Sequence, residues 1–312
     1  MHARALAGRL ATLLAVALLG CAWAQEVPDG SKRRSVLILH SYHHGFTWSD
    51  NISAGIQEAF SAHTEDVELL FEFMDTRHIF SETYFDALER LLSIKYGNRK
   101  IEVIVTADDH ALNFMLTRGE RLFPGVPLVF CSVTGYQPSM REGRQLTGLQ
   151  ETLAIEETLA TALALHPGTR KVAVITDLTR TGQALKAKAE AAFAPYRSRV
   201  TFRYLQNFTI HNLEKEIASL SPDTIVFLFI FSRDKNGRVF SHEQNLHLLA
   251  RHCRVPIYSV WEFYLGHGIV GGKLCSGRAE GRMAGELALR ILNGESASAI
   301  PLGQSQIGRA HV

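Results

Sequence analysis

Short runs rich in Val, Ile, Leu and Phe alternate with longer segments of helical period over most of the sequence, which leaves few folds open. A first series comprises SVLILHSY (Ser35–Tyr42), VELLFEFMD (Val67–Asp75), IEVIVTADD (Ile101–Asp109) and VPLVFCSV (Val126–Val133). Amphipathic stretches at Ile52–His63, Glu82–Tyr96 and His110–Phe123 lie between them. A second series comprises KVAVITD (Lys171–Asp177), VTFRYLQNF (Val200–Phe208), TIVFLFIF (Thr224–Phe231) and VPIYSVW (Val255–Trp261). Helical stretches at Thr181–Tyr196, Asn212–Leu220, Ser241–His252 and Gly277–Asn293 accompany it. Strands that read as continuous apolar runs are buried on both faces, so the pattern predicts an α/β protein with parallel sheets covered by helices. The segment between the series is polar over Gly135–Gln150 and breaks the alternation. That break favours two doubly wound lobes, at 35–133 and 169–296, joined by a crossover region at 134–168. A closed (β/α) barrel fits the same count and is the alternative. LTGLQET (Leu146–Thr152) reads as a strand crossing between lobes, ahead of a helix at Ile155–Leu165.

The first 24 residues read as a signal peptide: Arg4 and Arg9, then the apolar stretch Leu10–Gly20, then Ala22-Trp23-Ala24 with cleavage before Gln25. The apolar stretch is short for a membrane span. A lipobox ending in a lipidated Cys21 is the alternative, and either reading places the chain in the periplasm or otherwise outside the cytoplasm. Cleavage leaves Cys131, Cys253 and Cys275, an odd number for an oxidising compartment. Cys131 reads as a small buried residue, whereas Cys253 and Cys275 flank one strand region and leave a disulfide open. At the other end, Ile307–Val312 matches the translation of a common sequencing adapter, and the natural chain is expected to continue past Gln306.

VLILHSYHHGFTWSDNISAGI (Val36–Ile56) resembles the opening of the periplasmic binding-protein-like sensor domains of bacterial histidine kinases and diguanylate cyclases. HGIVGGKL (His267–Leu274), GRAEGRMAGELALRILNGE (Gly277–Glu295) and Ile300-Pro301 resemble the end of the same group. The chain is also similar to the wider ABC-transporter substrate-binding proteins of the type I periplasmic binding fold. This resemblance implies two Rossmann-like lobes, a hinge of crossing strands, a ligand in the cleft, and a strand after Pro301 that returns to the first lobe over 297–306. In receptor relatives a transmembrane helix and an output domain follow.

Open parallel sheets bind ligands beyond the carboxyl ends of their strands. Those ends offer Ser41, Tyr42, His43 and Trp48, then Thr106, Asp108 and Asp109, then Ser132, from the first series. The second series offers Asp177, Thr179 and Thr181, then Ser232 and Arg233, then Trp261 and Glu262. Some of these have a structural reading as well: Asp108 or Asp109 can cap the helix that follows, and so can Thr181. Trp48 and Trp261 follow polar loop residues and read as aromatic walls on opposite sides of one cleft, removable without loss of stability.

Several function classes are disfavoured. With 33 basic and 31 acidic residues, nothing in the charge balance points to nucleic acid. His40, His43 and His44 cluster, but neighbouring side chains on an extended segment diverge, and no metal-ligand spacing occurs, so neither a metal nor a cofactor is expected. No nucleophile elbow, phosphate loop or dinucleotide fingerprint is present. The resemblance therefore implies a small-molecule-binding sensor domain of a signalling receptor, partnered by a membrane-bound output domain and closing around its ligand. The alternative is a free binding protein of an ABC importer with a permease as partner. An exported hydrolase-like enzyme using Asp108 or Asp109 with a loop histidine is the third reading. An amino acid, a nucleobase-like ring and a short organic acid suit the residues equally.

Overall fold

A computed structural model describes residues 33–61, 67–231, 233–240, 242–304 and 307–309. The segment read as a signal peptide, Cys21, Ser232 and the end of the chain after Arg309 lie outside the described residues.

The first series forms β1 (Arg34–His40), α1 (Thr47–Ser61), β2 (Val67–Phe73), α2 (Glu82–Tyr96), β3 (Val103–Ala107), α3 (Asp108–Leu122) and β4 (Leu128–Val133). Next come β5 (Leu146–Gln150) and α4 (Ile155–Leu165). The second series forms β6 (Lys171–Ile175), α5 (Arg180–Ala192), β7 (Thr201–Leu205), α6 (Ile210–Ala218), β8 (Thr224–Leu228), α7 (His242–His252) and β9 (Ile257–Ser259). The chain ends with β10 (Lys273–Cys275), α8 (Gly277–Leu292), β11 (Gly303–Gln304) and β12 (Ile307–Arg309).

Two open parallel sheets result, in the strand orders β11-β5-β4-β3-β1-β2 and β7-β6-β8-β9, so the barrel alternative is excluded. Burial follows position. Central β1 and β3 are buried almost throughout, with Val36 and Ile38 on one face and Leu37 and Leu39 on the other. Edge strand β2 is half-buried along its length and carries Glu68 and Glu72, which pair with Arg99 and Lys95. One core cluster lies between the first sheet and α2 and α3; the other runs from beneath α1 and α8 into the second sheet.

Sequence order misplaces three segments. LTGLQ is a full member of the first sheet, between β4 and β11, and the first crossing follows it at Glu151–Ala154. Helix α4, grouped by sequence with the crossover, packs with α5, β9 and β10. Helix α8, grouped by sequence with the second lobe, packs on α1 and over β3, β4 and β5. The physical reason is a stripe of small residues: a Cβ on Gly281 would lie 2.0 Å from the Ile52 carbonyl oxygen, and one on Gly55 2.0 Å from that of Arg278. Only glycine lets these two helices approach so closely. After α8, β11 adds to the first sheet beside β5, the return expected after Pro301. Strand β12, in the segment read as adapter sequence, runs antiparallel to β10. Cys131, Cys253 and Cys275 are free thiols, so the disulfide left open by the sequence is not formed. No described helix is long and apolar enough to cross a membrane.

Candidate functional site

Among the described residues, three non-glycines occupy the left-handed backbone region: Asp75 (φ 51°), Asp108 (φ 69°) and Ser132 (φ 59°). All three sit at or just past the carboxyl ends of β2, β3 and β4. Such strain persists only where the surroundings over-determine it, and it gathers at binding sites. These strand ends face the loops that follow β6 and β9.

Asp108 lies at the centre. Its Oδ1 accepts a 3.1 Å hydrogen bond from Trp48 Nε1, while buried Oδ2 has no partner. Burial holds its carboxyl well above the ordinary carboxylate range, and the charges of Glu151 and Asp109 push the same way. Glu151, just after β5, accepts from Trp261 Nε1 at 3.2 Å. Its carboxyl is raised by burial and by Glu280. Phe263 connects the two indoles, edge-on to Trp48 at 6.0 Å and stacked with Trp261 at 6.1 Å. The Trp48–Phe263 and Glu151–Trp261 contacts join the two sheets' loops.

Arg77, in the loop after β2, supplies the positive charge. Its guanidinium lies 4.6 Å from the Phe46 ring centroid and 5.9 Å from that of Tyr42. Burial lowers its pKa, opposed by Tyr42, Asp177, Tyr264 and Asp108. The Tyr42 hydroxyl is raised by burial first and by Asp108 second. Tyr264, buried after β9, is raised chiefly by burial. Tyr42, Arg77, Asp108, Glu151 and Tyr264 thus form one mixed-charge, aromatic-walled set drawn from both halves. It can hold a ligand bearing donors for the carboxylates and an acceptor or anionic group for Arg77.

The residues singled out from sequence divide. Tyr42, Trp48, Asp108 and Trp261 come together here. Both tryptophans are buried, at 5% and 4% exposure, so they are load-carrying packing as well as wall, and the expectation that either is removable without loss of stability does not hold. Ser41 serves the scaffold: its Oγ accepts from Ala111 N and donates to the Ala107 carbonyl, bridging the first turn of α3. Thr106 is fully buried within the sheet, its Oγ1 donating to the Val129 carbonyl at 3.4 Å. Neither Asp108 nor Asp109 caps α3 with its side chain. Asp109 instead accepts from Thr134 Oγ1 and Gly135 N, both at 2.9 Å, and pins the loop after β4. Ser132 sits in a β4 bulge and donates to buried Glu280 Oε2 at 2.5 Å. Asp177 accepts from Thr179 N and Arg233 N. Thr179, not Thr181, caps α5, and Thr181 is exposed in its first turn. Glu262 is exposed, its charge acting on Arg278 rather than on the cleft. His43 lies beside Asp75, 3.3 Å from its carboxylate.

Sequence reasoning missed Arg77, Glu151, Phe263, Tyr264 and Glu280. Arg77 was findable, because it follows the second strand end, which the reading left out. Glu151 was hidden by taking its strand for a crossover. Two surface grooves lie elsewhere: one of about 450 Å³ near the amino ends of β3 and β4, the other of about 390 Å³ beside α2 and α3. Neither includes any of the buried titratable groups just described.

No protein-family model matches the sequence, and no curated protein matches it. Solved structures do match. The ABC domain in complex with L-Trp from Streptococcus pneumonia is 12% identical, with a TM-score of 0.61 over 88% of this chain and 90% of that one. The ligand-free, open structure of a substrate-binding protein with adhesive properties from Clostridium difficile is 14% identical, with a TM-score of 0.62 over 87% and 89%. An ABC transporter solute-binding protein from Bacillus halodurans with bound myo-inositol is 12% identical, with a TM-score of 0.56 over 89% and 95%. LacI-type transcriptional regulators match as well. At these identities the likeness concerns architecture, and the architecture is that of the type I periplasmic binding proteins.

Proposed function

We propose that this protein is an extracytoplasmic small-molecule-binding domain that closes its two halves on a ligand held by Tyr42, Arg77, Asp108, Glu151 and Tyr264. The observation that carries the reading is Asp108: a buried carboxylate in strained backbone, with one oxygen unpartnered, facing groups of the other half. A buried polar atom without a partner costs roughly 1–3 kcal/mol, which a ligand donor would recover. Fold neighbours that hold L-Trp and myo-inositol support binding as the use of such a cleft. The leader-like first 24 residues support export.

Within this reading the domain is the sensor of a signalling receptor, on the strength of the Val36–Ile56 resemblance. The solute-binding neighbours favour the second reading, a free importer component. A ligand bridging both halves stabilises the closed form over the open one, and that differential affinity is what an output domain or a permease would detect.

The test is a thermal-shift screen of metabolites, followed by small-angle scattering. A hit raises the melting temperature of the wild type and not of Asp108→Asn, and saturation keeps or reduces the radius of gyration. Hits that bind Asp108→Asn equally well would reject the site. Gene sequence beyond the codon for Gln306 separates the two settings: a transmembrane segment with kinase or cyclase motifs means receptor, and neighbouring permease genes mean importer.

A further inference from the structure

Beside the proposed ligand set, the ends of β1 and β2 bring together a second constellation. His43 follows β1; Asp75 and His78 follow β2, its parallel neighbour. Left-handed Asp75 turns the chain so that its carbonyl accepts from His78 N at 3.1 Å, folding His78 back over the Asp75 carboxylate. Both imidazole Nδ1 atoms then converge on one oxygen: His78 Nδ1 lies 2.5 Å and His43 Nδ1 3.3 Å from Asp75 Oδ1. The rings are 4.7 Å apart, and the three ligand atoms lie within 4.8 Å of one another. His43 Nδ1 is screened from solvent and faces Asp75 Oδ1 at 3.3 Å.

We propose that His43, Asp75 and His78 bind a divalent transition-metal ion of the Zn²⁺ class, with the remaining coordination position open to water or an exogenous ligand.

Ligand bonds to zinc of about 2.0–2.1 Å place neighbouring donors of a tetrahedral ion roughly 3.3 Å apart. The His43–Asp75 spacing of 3.3 Å already meets that. The His78–Asp75 spacing must open by roughly 0.8 Å to reach it. Rotation of the His78 side chain, 64% exposed, supplies the movement. Two imidazoles and one carboxylate suit Zn²⁺, Ni²⁺ or Cu²⁺, whereas Ca²⁺ and Mg²⁺ prefer sets dominated by oxygen. The adjacent cation, Arg77, opposes binding by repulsion, yet its guanidinium stacks on Phe46 and answers to Asp177 and Tyr264. The divergence of His43 and His44 noted in the sequence is real, and it is irrelevant: His43 finds its co-ligands on the next strand. Since the core forms without this cluster, the ion orders two loops and is not needed for folding.

The test is isothermal titration of ZnCl₂ into chelator-treated, tag-free protein, with Co²⁺ absorption as a second readout. One ion per chain should bind, with the visible bands of four-coordinate Co²⁺. H43A, D75A and the exposed-site variant H78Q should each weaken binding about tenfold or more. H267A, at an exposed position away from the cluster, should leave it unchanged. Circular dichroism on each variant establishes that the fold is retained, and H78Q alone decides the matter if the other two unfold. Absence of binding to the wild type overturns the proposal. So does an affinity indifferent to H78Q, or one lost on substituting His211 and His252 beside Glu214.

Discussion

The β3–α3 and β6–α5 turns carry the same sequence signal, an aspartate at the end of a buried strand ahead of a helix, and they use it in opposite ways. Asp177 is buried and fully employed: Thr179 N and Arg233 N donate to its two oxygens, and its backbone is ordinary. Asp108 is equally hidden from solvent but strained, raised in pKa, and left with one oxygen idle. One turn is finished within its own lobe. The other leaves an acceptor oxygen open, the one the proposed ligand would use. A buried carboxylate is therefore informative about function through what it lacks.

That contrast can be broken by experiment. Asp177→Ala removes the acceptor of Thr179 N and Arg233 N and should cost about 2 kcal/mol in urea unfolding; a loss under about 1 kcal/mol would mean the turn is not held by this side chain. Asp108→Asn should leave ligand-free stability at neutral pH unchanged or improved by about 1 kcal/mol, because it removes an ionisable group whose charged form burial disfavours. If the two variants lose equal stability, the contrast fails.

The pH dependence sharpens it further. Asp108 has a folded pKa above its unfolded value, so its contribution is fully present below the unfolded pKa and is lost as pH rises toward the folded one. The stability gap between Asp108→Asn and wild type should thus widen in favour of the variant from about pH 4 upward. His40, held near 3 by burial, acts with the opposite sign between its folded and unfolded values, and subtraction at each pH cancels it. A gap independent of pH would show that Asp108 titrates normally. Trp48→Phe removes the donor to Asp108 and part of a buried indole, and should cost about 1–3 kcal/mol by thermal unfolding. A loss well under about 1 kcal/mol would mean that neither the hydrogen bond nor the packing of this indole holds the turn.

Much of this was legible in the sequence. Continuous apolar strands announced sheets covered on both faces, and strand ends led to Tyr42, Trp48, Asp108 and Trp261. Even the Asp108–Asp177 difference left a trace, since Thr179 two residues after Asp177 is placed to donate back to it, and Asp108 has His110 at that spacing. What stayed hidden depends on partners distant in sequence. Glu280 is an ordinary helix glutamate until Ser132, 148 positions earlier, is found beneath it. His43 becomes a metal ligand candidate only when β2 is known to lie beside β1. The tryptophans looked exposed because their neighbours in sequence are polar, whereas Phe263 and the facing half bury them.

The glycine-lined seat of α8 on α1 also sets a timetable. The first sheet has one face roofed by α8, which is made more than 200 residues after α1. While the chain is being synthesised, Ile52, Ile56, Val36 and Ile38 have no permanent cover, and the contact that supplies it is among the longest-range in the molecule. Contacts of such separation form late and slowly. The half that emerges first therefore lacks part of its roof until the last long helix has been made.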